Sequence, residues 1–367
     1  MMSTIVRRIF GIPIRRLAAL SVVTFFFVVA VIVGCSKDDN PVEPAELGEP
    51  EDYIVYFTDS LNTSHWFSLH TATGEYDALD QPPQSMIGVR VSADGSKLYV
   101  PAPASTTVFS SDSLKVLAQI PYLAGREIVV SKDDKLIALL DDGFHVVSTT
   151  DYSLVYGDTD QACSARFSSD NKTLYFAAND HWGRVELDAN PVVTERYAFP
   201  PDTRGRCIIP SANESRVFLY LWNYTLQYTY TFAVYDLALD SLVFIDPIVP
   251  GAGYLEITPD GRYVFYTNGG NVSQGPDPPK KFTIYDVRQN KILTRIKTDI
   301  VLHDTELTNF DAWRMAITPD GRKLIMTEAP GVNRYIVFDI GKMQITDFRN
   351  VGTGIRLRDI TVQCQPR

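Results

Sequence analysis

The segment LHDTE at Leu302–Glu306 brings an imidazole and two carboxylates close together, a combination that could carry acid–base chemistry. His303, Asp304 and Glu306 could serve a hydrolase or lyase of the lactonase type. Other catalytic signatures are missing from the sequence, including GxSxG, HExxH and glycine-rich phosphate loops. No short Cys/His spacing indicates a metal, so neither a metal nor a cofactor is expected. A non-catalytic protein is therefore favoured over an enzyme.

Three long insertions form a second kind of candidate site. They span Leu221–Thr229, Asn268–Lys281 and Asp299–Trp313 and mix aromatic residues with Asn, Asp and His. Aromatic stacking with directed hydrogen bonds suits a neutral polar ligand such as a glycan. The alternative is that these loops simply tolerate insertions. The predicted ligand-binding residues are Trp222, Tyr224, Asn268, Asn271, His303, Asp304, Glu306, Asn309 and Asp311.

A repeated turn identifies the elements that would position these loops. The hexapeptide ITPDGR occurs at Ile257–Arg262 and again at Ile317–Arg322, each time followed by an apolar run. Pro sets φ at the first corner, Asp caps the turn and Gly accepts positive φ, which predicts a β-hairpin. Weaker copies lie upstream. The Ser or Thr before each turn stands at Ser92, Ser131, Ser168, Ser211, Thr258 and Thr318.

The spacing of these turns predicts a β-propeller. Successive copies are 37 to 60 residues apart, and each unit continues into a third strand with a polar end and then a fourth strand. The first unit begins at residue 52 without a first strand, and Gly354–Gln363 reads as a first strand with nothing after it. We therefore predict an all-β fold of seven four-stranded antiparallel blades, closed by the C-terminal strand.

The repeat resembles a known family. Residues 255–298 follow the pattern ITPDGRxVxYTN…IYD…K, which is similar to the YVTN-type β-propeller repeat of bacterial surface and periplasmic proteins. The resemblance covers roughly residues 52–364 and is closest in the sixth and seventh blades. It implies a seven-bladed propeller. It does not imply one activity, because this fold hosts binding modules, lactonases, lyases and electron-transfer subunits.

The N-terminus has the pattern of a bacterial lipoprotein. Four arginines precede an apolar stretch, Leu17–Gly34, which meets Cys35 in the lipobox IVGC. The alternative is an uncleaved membrane anchor. We predict a signal peptide at 1–34, a flexible linker at 35–51 and the propeller at 52–364. With Ser36 after a lipidated Cys35, the usual sorting pattern implies the outer membrane, on its periplasmic or its outer face.

Net charge limits the classes of partner, and the cysteines raise the question of a disulfide. The net charge of −10 becomes −14 without the four arginines of the leader, which disfavours nucleic acid as a partner. Cys163 and Cys207 fall in adjacent units, where a disulfide and two buried thiols are both open. We expect a monomer that is attached to the membrane by lipid and that binds a glycan, a peptide or a partner protein.

The innermost strands are predicted to carry charges of both signs. Arg90, Arg166, Glu127 and Arg314 fall on these strands among apolar or small residues. Charged side chains of this kind indicate a polar, water-filled channel. Mutual ion pairing is the expected role for most of them, and a small-ligand site is the alternative. His145 lies within a predicted third strand and is expected to be packed.

Overall fold

The structure of the chain, a computed structural model, describes residues 53–59, 66–70, 76–79, 88–102, 104–188, 191–225, 229–248, 254–267, 281–297, 300–302, 305–307, 312–328, 333–350 and 357–364. All of them belong to one compact unit, Pro50–Arg367. Among these residues, no helix is long and apolar enough to cross a membrane. The predicted leader and linker, including Cys35, lie outside the described residues.

The secondary structure consists of short strands. In chain order the first half comprises β1 (Tyr53–Asp59), β2 (Trp66–His70), β3 (Tyr76–Leu79), β4 (Arg90–Val91), β5 (Lys97–Ala102), β6 (Ser105–Ser110), β7 (Val116–Ile120), β8 (Glu127–Val130), β9 (Leu136–Leu140), β10 (Phe144–Ser148), β11 (Leu154–Asp158), β12 (Ser164–Phe167), β13 (Thr173–Ala177), β14 (His181–Glu186) and β15 (Val192–Ala198). The second half comprises β16 (Thr203–Pro210), β17 (Arg216–Asn223), β18 (Thr229–Asp236), β19 (Ser241–Ile248), β20 (Leu255–Ile257), β21 (Tyr263–Thr267), β22 (Lys281–Asp286), β23 (Lys291–Lys297), β24 (Ile300–Leu302), β25 (Thr305–Leu307), β26 (Ala312–Ile317), β27 (Lys323–Glu328), β28 (Arg334–Asp339), β29 (Gln344–Asn350) and β30 (Leu357–Cys364).

Six sheets are antiparallel blades of four consecutive strands. We number them from two, because the strands β1–β3 of another sheet come before them in the chain. They are blade two (β4–β7), blade three (β8–β11), blade four (β12–β15), blade five (β16–β19), blade six (β20–β23) and blade seven (β26–β29). Second strands such as β13 are apolar runs buried on both faces, because a neighbouring blade packs on each side. Outer strands such as β15 alternate between exposed and half-buried residues.

The predicted fold class is wrong in its number of blades, because the described residues form six four-stranded blades and not seven. Six blades are made of consecutive strands, whereas the remaining four-stranded sheet is a composite in the order β3–β2–β1–β30, which we call the closing sheet. In it β30 pairs with β1, from Tyr53 opposite Cys364 to Phe57 opposite Ile360, as expected for the last strand. A two-stranded sheet that was not predicted, β24–β25, lies outside every blade.

The innermost strands form a ring. Each one contacts the next in the cyclic order β4, β8, β12, β16, β20, β26, β30 and back to β4. The arrangement leaves a channel along the axis of the propeller. Between neighbouring blades lie aromatic side chains, such as Phe232 of blade five and Tyr266 of blade six, whose rings stack with centroids 4.4 Å apart.

The turn between the first two strands repeats one hydrogen-bond network in all six blades. In blade four, Ser168 Oγ donates to Asp170 Oδ1 at 2.7 Å and accepts a hydrogen bond from the Thr173 N–H at 2.9 Å. The equivalent hydroxyls, all buried, belong to Ser92, Ser131, Ser211, Thr258 and Thr318. We call the end of the ring that carries these turns the turn face.

The third residue after each of these hydroxyl residues has a left-handed backbone conformation. It is Gly95, Asp134, Asn171, Glu214, Gly261 and Gly321 in blades two to seven. The non-glycine side chains bond to the preceding blade. Asp134 accepts hydrogen bonds from the N–H groups of Ala93 and Asp94, at 2.5 and 2.6 Å, and Asn171 accepts one from the Lys132 N–H at 3.0 Å. These bonds link neighbouring blades along the turn face.

Candidate functional site

A cavity of about 520 Å³ lies at the end of the ring opposite the turn face. It is placed where the innermost strands begin, so we call it the mouth cavity and this end the mouth face. Its lining combines four guanidinium groups, three aromatic rings, a thiol and an amide. The lining residues are Arg126, Cys163, Asn179, Arg204, Arg206, Tyr230, Tyr254, Trp313 and Arg314.

The strand order explains why these side chains meet. Arg126, Cys163 and Tyr254 each come directly before an innermost strand, namely β8, β12 and β20, while Arg204 and Arg206 lie within the first residues of β16. All innermost strands start at the same end of the ring, because every blade repeats the same up-and-down path. Residues that are far apart in the sequence therefore surround one cavity.

Two β-bulges place further side chains at the mouth cavity. In β16, Gly205 pairs with Leu221 and Cys207 with Tyr220, so Arg206 is an extra residue. In β26, Ala312 pairs with Glu328 and Arg314 with Thr327, so Trp313 is extra in the same way. A bulge re-aims a side chain without disturbing the rest of the ladder, and bulges are frequent beside functional sites. Both extra residues line the cavity.

Aromatic rings hold the exposed arginines of blade five. The Arg206 Cζ atom lies 4.5 Å from the centroid of the Trp222 ring, and the Arg204 Cζ atom lies 5.0 Å from that of Tyr224. Within the described part of the chain, no carboxylate forms an ion pair with either guanidinium. Stacking leaves the N–H edges of a guanidinium able to donate to a ligand.

Arg126 and Arg314 are also held by neighbouring side chains. Arg126 lies 3.6 Å from a carboxylate oxygen of Asp142, and its Nη1 is 3.7 Å from the Cys163 sulfur. The Arg314 Cζ atom lies only 3.8 Å from the centroid of the Tyr254 ring. Each guanidinium at the mouth cavity is thus supported by another side chain, which favours a preformed site.

Below the mouth cavity, the channel contains an ion pair between buried Glu127 and half-buried Arg166. Arg166 Nη1 of β12 donates to Glu127 Oε1 of β8 at 2.6 Å, and the Ala165 N–H donates to the other carboxylate oxygen at 3.2 Å. Burial opposes the charge on Arg166, but Glu127 outweighs this and raises the pKa of the guanidinium. The pair confirms the expected ion pairing for Glu127 and Arg166.

A second cavity, of about 450 Å³, adjoins the first, and we call it the side cleft. Asn179 and Arg204 line both cavities. At the wall of the side cleft, His181 Nδ1 lies 2.7 Å from Asp180 Oδ1 and Nε2 lies 3.2 Å from Asp160 Oδ2. The hydrogen bond from His181 lowers the pKa of Asp180. The remaining lining residues are Thr159, Gln161, Ala178, Phe199, Pro200, Pro201, Asp202, Thr203 and Tyr224.

Two of the residues that were predicted to bind a ligand lie at these cavities. Tyr224 lines the side cleft, and Trp222 supports both arginines of blade five. The remaining predicted residues, or in the case of Glu306 its side chain, lie outside the described part of the chain. They are Asn268, Asn271, His303, Asp304, Glu306, Asn309 and Asp311. Their role in binding stays a prediction.

The structure shows the state of two cysteines and of His145. Cys163 and Cys207 are free thiols in this structure, and burial raises the pKa of Cys207. His145 stacks on Tyr122 with ring centroids 4.4 Å apart, which confirms that it is packed. Burial lowers its pKa. In the described ranges, no cluster of His, Cys, Asp and Glu is arranged to hold a metal ion.

Of the four arginines at the mouth cavity, only Arg314 was named from the sequence, as a charged residue of an innermost strand for which a small-ligand site was the alternative to ion pairing. Arg126, Arg204 and Arg206 were not predicted, although a signal was present. Four lining residues stand five positions before the Ser or Thr of their own turn: Arg126, Cys163, Arg206 and Trp313. The charged residues that were named on the innermost strands stand two or four positions before this Ser or Thr, where strict alternation places channel-facing side chains. The bulges at Arg206 and Trp313 break that alternation.

Comparison with known proteins supports the fold. No protein-family profile matches the chain, and no curated protein is detectably similar in sequence. A solved protein from Lactobacillus plantarum is 12% identical, with a TM-score of 0.64 over 85% of this chain and 99% of that one. A putative 6-phosphogluconolactonase from Bacteroides fragilis is 16% identical, with a TM-score of 0.61 over 86% and 99%. Hydrazine synthase from Kuenenia stuttgartiensis is 17% identical, with a TM-score of 0.58 over 75% and 88%. Similarity at this level of identity shows a β-propeller and nothing finer.

Proposed function

We propose that this chain is a non-catalytic binding module of the bacterial envelope, and that its mouth cavity binds acidic carbohydrate. The observation that carries the proposal is the convergence of four guanidinium groups and three aromatic rings on one cavity. Guanidinium groups recognise carboxylates and sulfates by paired N–H donors. Aromatic rings contact the apolar faces of sugar rings.

The charge of the whole chain strengthens the case for a specific site. With a net charge of −10, the protein repels anions at long range, yet four arginines meet at the mouth cavity. Grouping like charges costs free energy, and that cost is offset when an anionic ligand binds between them. For this reason the proposal departs from the neutral glycan that was expected from the insertions.

The N-terminal sequence supports the proposed location of the module at the envelope. The lipobox IVGC supports a lipid on Cys35, and Ser36 supports the outer membrane. The turn sequences support membership of the YVTN-type repeat proteins, which occur at the bacterial surface and in the periplasm. Labelled palmitate should be incorporated by the wild-type chain and not by Cys35→Ala. Equal labelling of both would reject lipidation.

A glycan array tests the proposed ligand class. The wild-type protein should bind glycans that carry carboxylate or sulfate and should leave their neutral counterparts unbound. The double variant Arg204→Ala/Arg206→Ala should lose this binding. The control Lys342→Ala/Arg349→Ala also removes two positive charges, but from exposed ion pairs of blade seven, and should bind as the wild type does. Preference for neutral glycans would overturn the proposal.

A hydrolase or lyase remains the alternative function. It is favoured by the LHDTE segment, and one protein of similar fold is described as a putative 6-phosphogluconolactonase. The His303→Ala variant separates the two functions. Loss of turnover of a lactone or polyuronide, with affinity unchanged, would establish the enzyme. Absence of turnover in the wild-type protein, together with binding that depends on Arg204 and Arg206, would support the binding module.

A further inference from the structure

We propose that the side cleft is a second subsite, which takes the next sugar unit of an acidic oligosaccharide whose end unit lies in the mouth cavity. The inference rests on the proposed function and adds that the ligand is a chain rather than a single sugar acid. Three features of the side cleft carry it: a wall in common with the mouth cavity, a complementary set of hydrogen-bonding groups, and apolar surfaces at its sides.

The common wall makes the two cavities one continuous site. Arg204 and Asn179 line both of them. Arg204 is held in place by Tyr224, and the Asn179 amide donates to Gln161 Oε1 at 3.0 Å. A ligand bound at Arg204 in the mouth cavity is therefore adjacent to the side cleft. Each volume lies within the range of roughly 300–1,000 Å³ that ligand pockets occupy.

The two cavities offer opposite kinds of hydrogen-bonding group to a ligand. The mouth cavity is rich in donors, which match the carboxylate of an acidic sugar. The side cleft is instead rich in acceptors, because the carboxylates of Asp160, Asp180 and Asp202 line it. A sugar chain with acidic groups presents both kinds of partner, since its hydroxyl groups donate while its carboxylates accept.

The carboxylates of the side cleft suit hydroxyl donors. Asp160 already pairs with Arg196, whose Nε and Nη2 lie 3.1 and 3.0 Å from its Oδ2, and with His181. Asp180 pairs with the same histidine. Arg196, which also lies 3.4 Å from Asp158 Oδ2, offsets the charge of Asp160 in part. The carboxylates of the side cleft keep lone pairs that accept further hydrogen bonds, and sugar hydroxyl groups can donate them.

Apolar surfaces complete the subsite. Phe199, Pro200 and Pro201 line the side cleft together with Tyr224, whose surface is 42% exposed. A sugar ring has apolar C–H faces between its hydroxyl edges, and it binds well where rings of this kind lie beside polar acceptors. An exposed tyrosine at a cavity edge gives up little side-chain entropy when it stacks on a ligand.

Binding measured against chain length tests the subsite. The probes are galacturonate and trigalacturonate, titrated calorimetrically into the wild-type protein. We expect trigalacturonate to bind at least about tenfold more tightly than galacturonate. Thr159→Trp, which fills the side cleft, should remove this gain and leave the affinity for galacturonate unchanged. Thr150→Trp is the matched control, because Thr150 is an exposed residue of the same blade on the turn face.

A milder variant guards against a folding defect in Thr159→Trp. Asp202 has a left-handed backbone, which asparagine adopts well, so Asp202→Asn should keep the fold and reduce the gain with chain length. Equal affinity of the wild-type protein for both probes would overturn the subsite, as would equal losses for both probes in Thr159→Trp. Failure of both probes to bind at all would instead reject the proposed function.

Discussion

The two ends of the ring are built on opposite principles. At the turn face, one network of a buried hydroxyl and an Asp or Asn is repeated in six blades, and the same backbone conformation follows it each time. At the mouth face, the position five residues before the turn hydroxyl carries arginine, cysteine or tryptophan in four of the blades. The innermost strands of blades five and seven are bulged there. Repetition therefore marks what the fold requires, and departure from repetition marks the candidate site.

The largest expected effect on stability comes from removing β30, the strand that closes the ring. Deleting residues 354–367 takes away β30, whose Leu357 and Ile360 are buried against Val55. The free energy of unfolding should fall by several kcal/mol, a large part of the roughly 5–15 kcal/mol typical of a domain. Chemical denaturation measures this loss. A truncated protein that unfolds at nearly the same denaturant concentration would show that ring closure contributes little.

A smaller effect is expected at a single turn. Gly261 has φ +70°, and a Cβ atom there would lie 3.0 Å from the Cβ of Ala212 in blade five. Gly261→Val should cost about 2 kcal/mol, because a left-handed conformation is strained for a β-branched residue. Gly261→Asn is the control, since Asn171 adopts this conformation at the equivalent position.

Ligand binding separates this turn variant from those at the mouth. Gly261→Val should lower the thermal midpoint and leave the affinity for trigalacturonate unchanged, because the turn is at the opposite end of the ring. If the affinity falls in proportion to stability, then the two faces are not independent.

The smallest expected effect is a change in acid stability. Hydrogen bonds from the Lys172 N–H and the Ser168 hydroxyl lower the pKa of Asp170. A pKa that is lower in the folded state gives stability that is present above the unfolded value, near 3.8, and is lost as the pH falls toward the folded value. Asp170→Asn should preserve the turn, as Asn213 does in blade five.

Thermal midpoints measured against pH would show this effect. The Asp170→Asn variant should match the wild type near neutral pH and lose less stability below about pH 4, where the aspartate of the wild type takes up a proton. Equal losses in both proteins would mean that this carboxylate does not contribute to acid unfolding.

The turn face was largely predictable from sequence, and the mouth face was not. A tight turn can be recognised in a short stretch of sequence, because backbone geometry favours Pro, Asp and Gly at fixed positions. The mouth cavity is lined by residues of five blades, and no short sequence pattern predicts which residues of different blades lie together. At Arg206 and Trp313 the bulges also reverse the expected side-chain direction. Trp222 and Tyr224 were predicted because aromatic residues beside Asn in a long insertion suit a glycan, and their role in binding stays a prediction.

Calorimetric titration with trigalacturonate and with its methyl ester tests most directly whether the mouth cavity recognises negative charge. The two probes share their sugar rings and differ in the charge of their carboxyl groups. We predict that the wild-type protein binds the acid at least about tenfold more tightly than the ester, and that Arg204→Ala/Arg206→Ala removes the difference while Lys342→Ala/Arg349→Ala preserves it. Equal affinity of the wild-type protein for acid and ester, or an undiminished preference in Arg204→Ala/Arg206→Ala, would contradict this role for the mouth cavity.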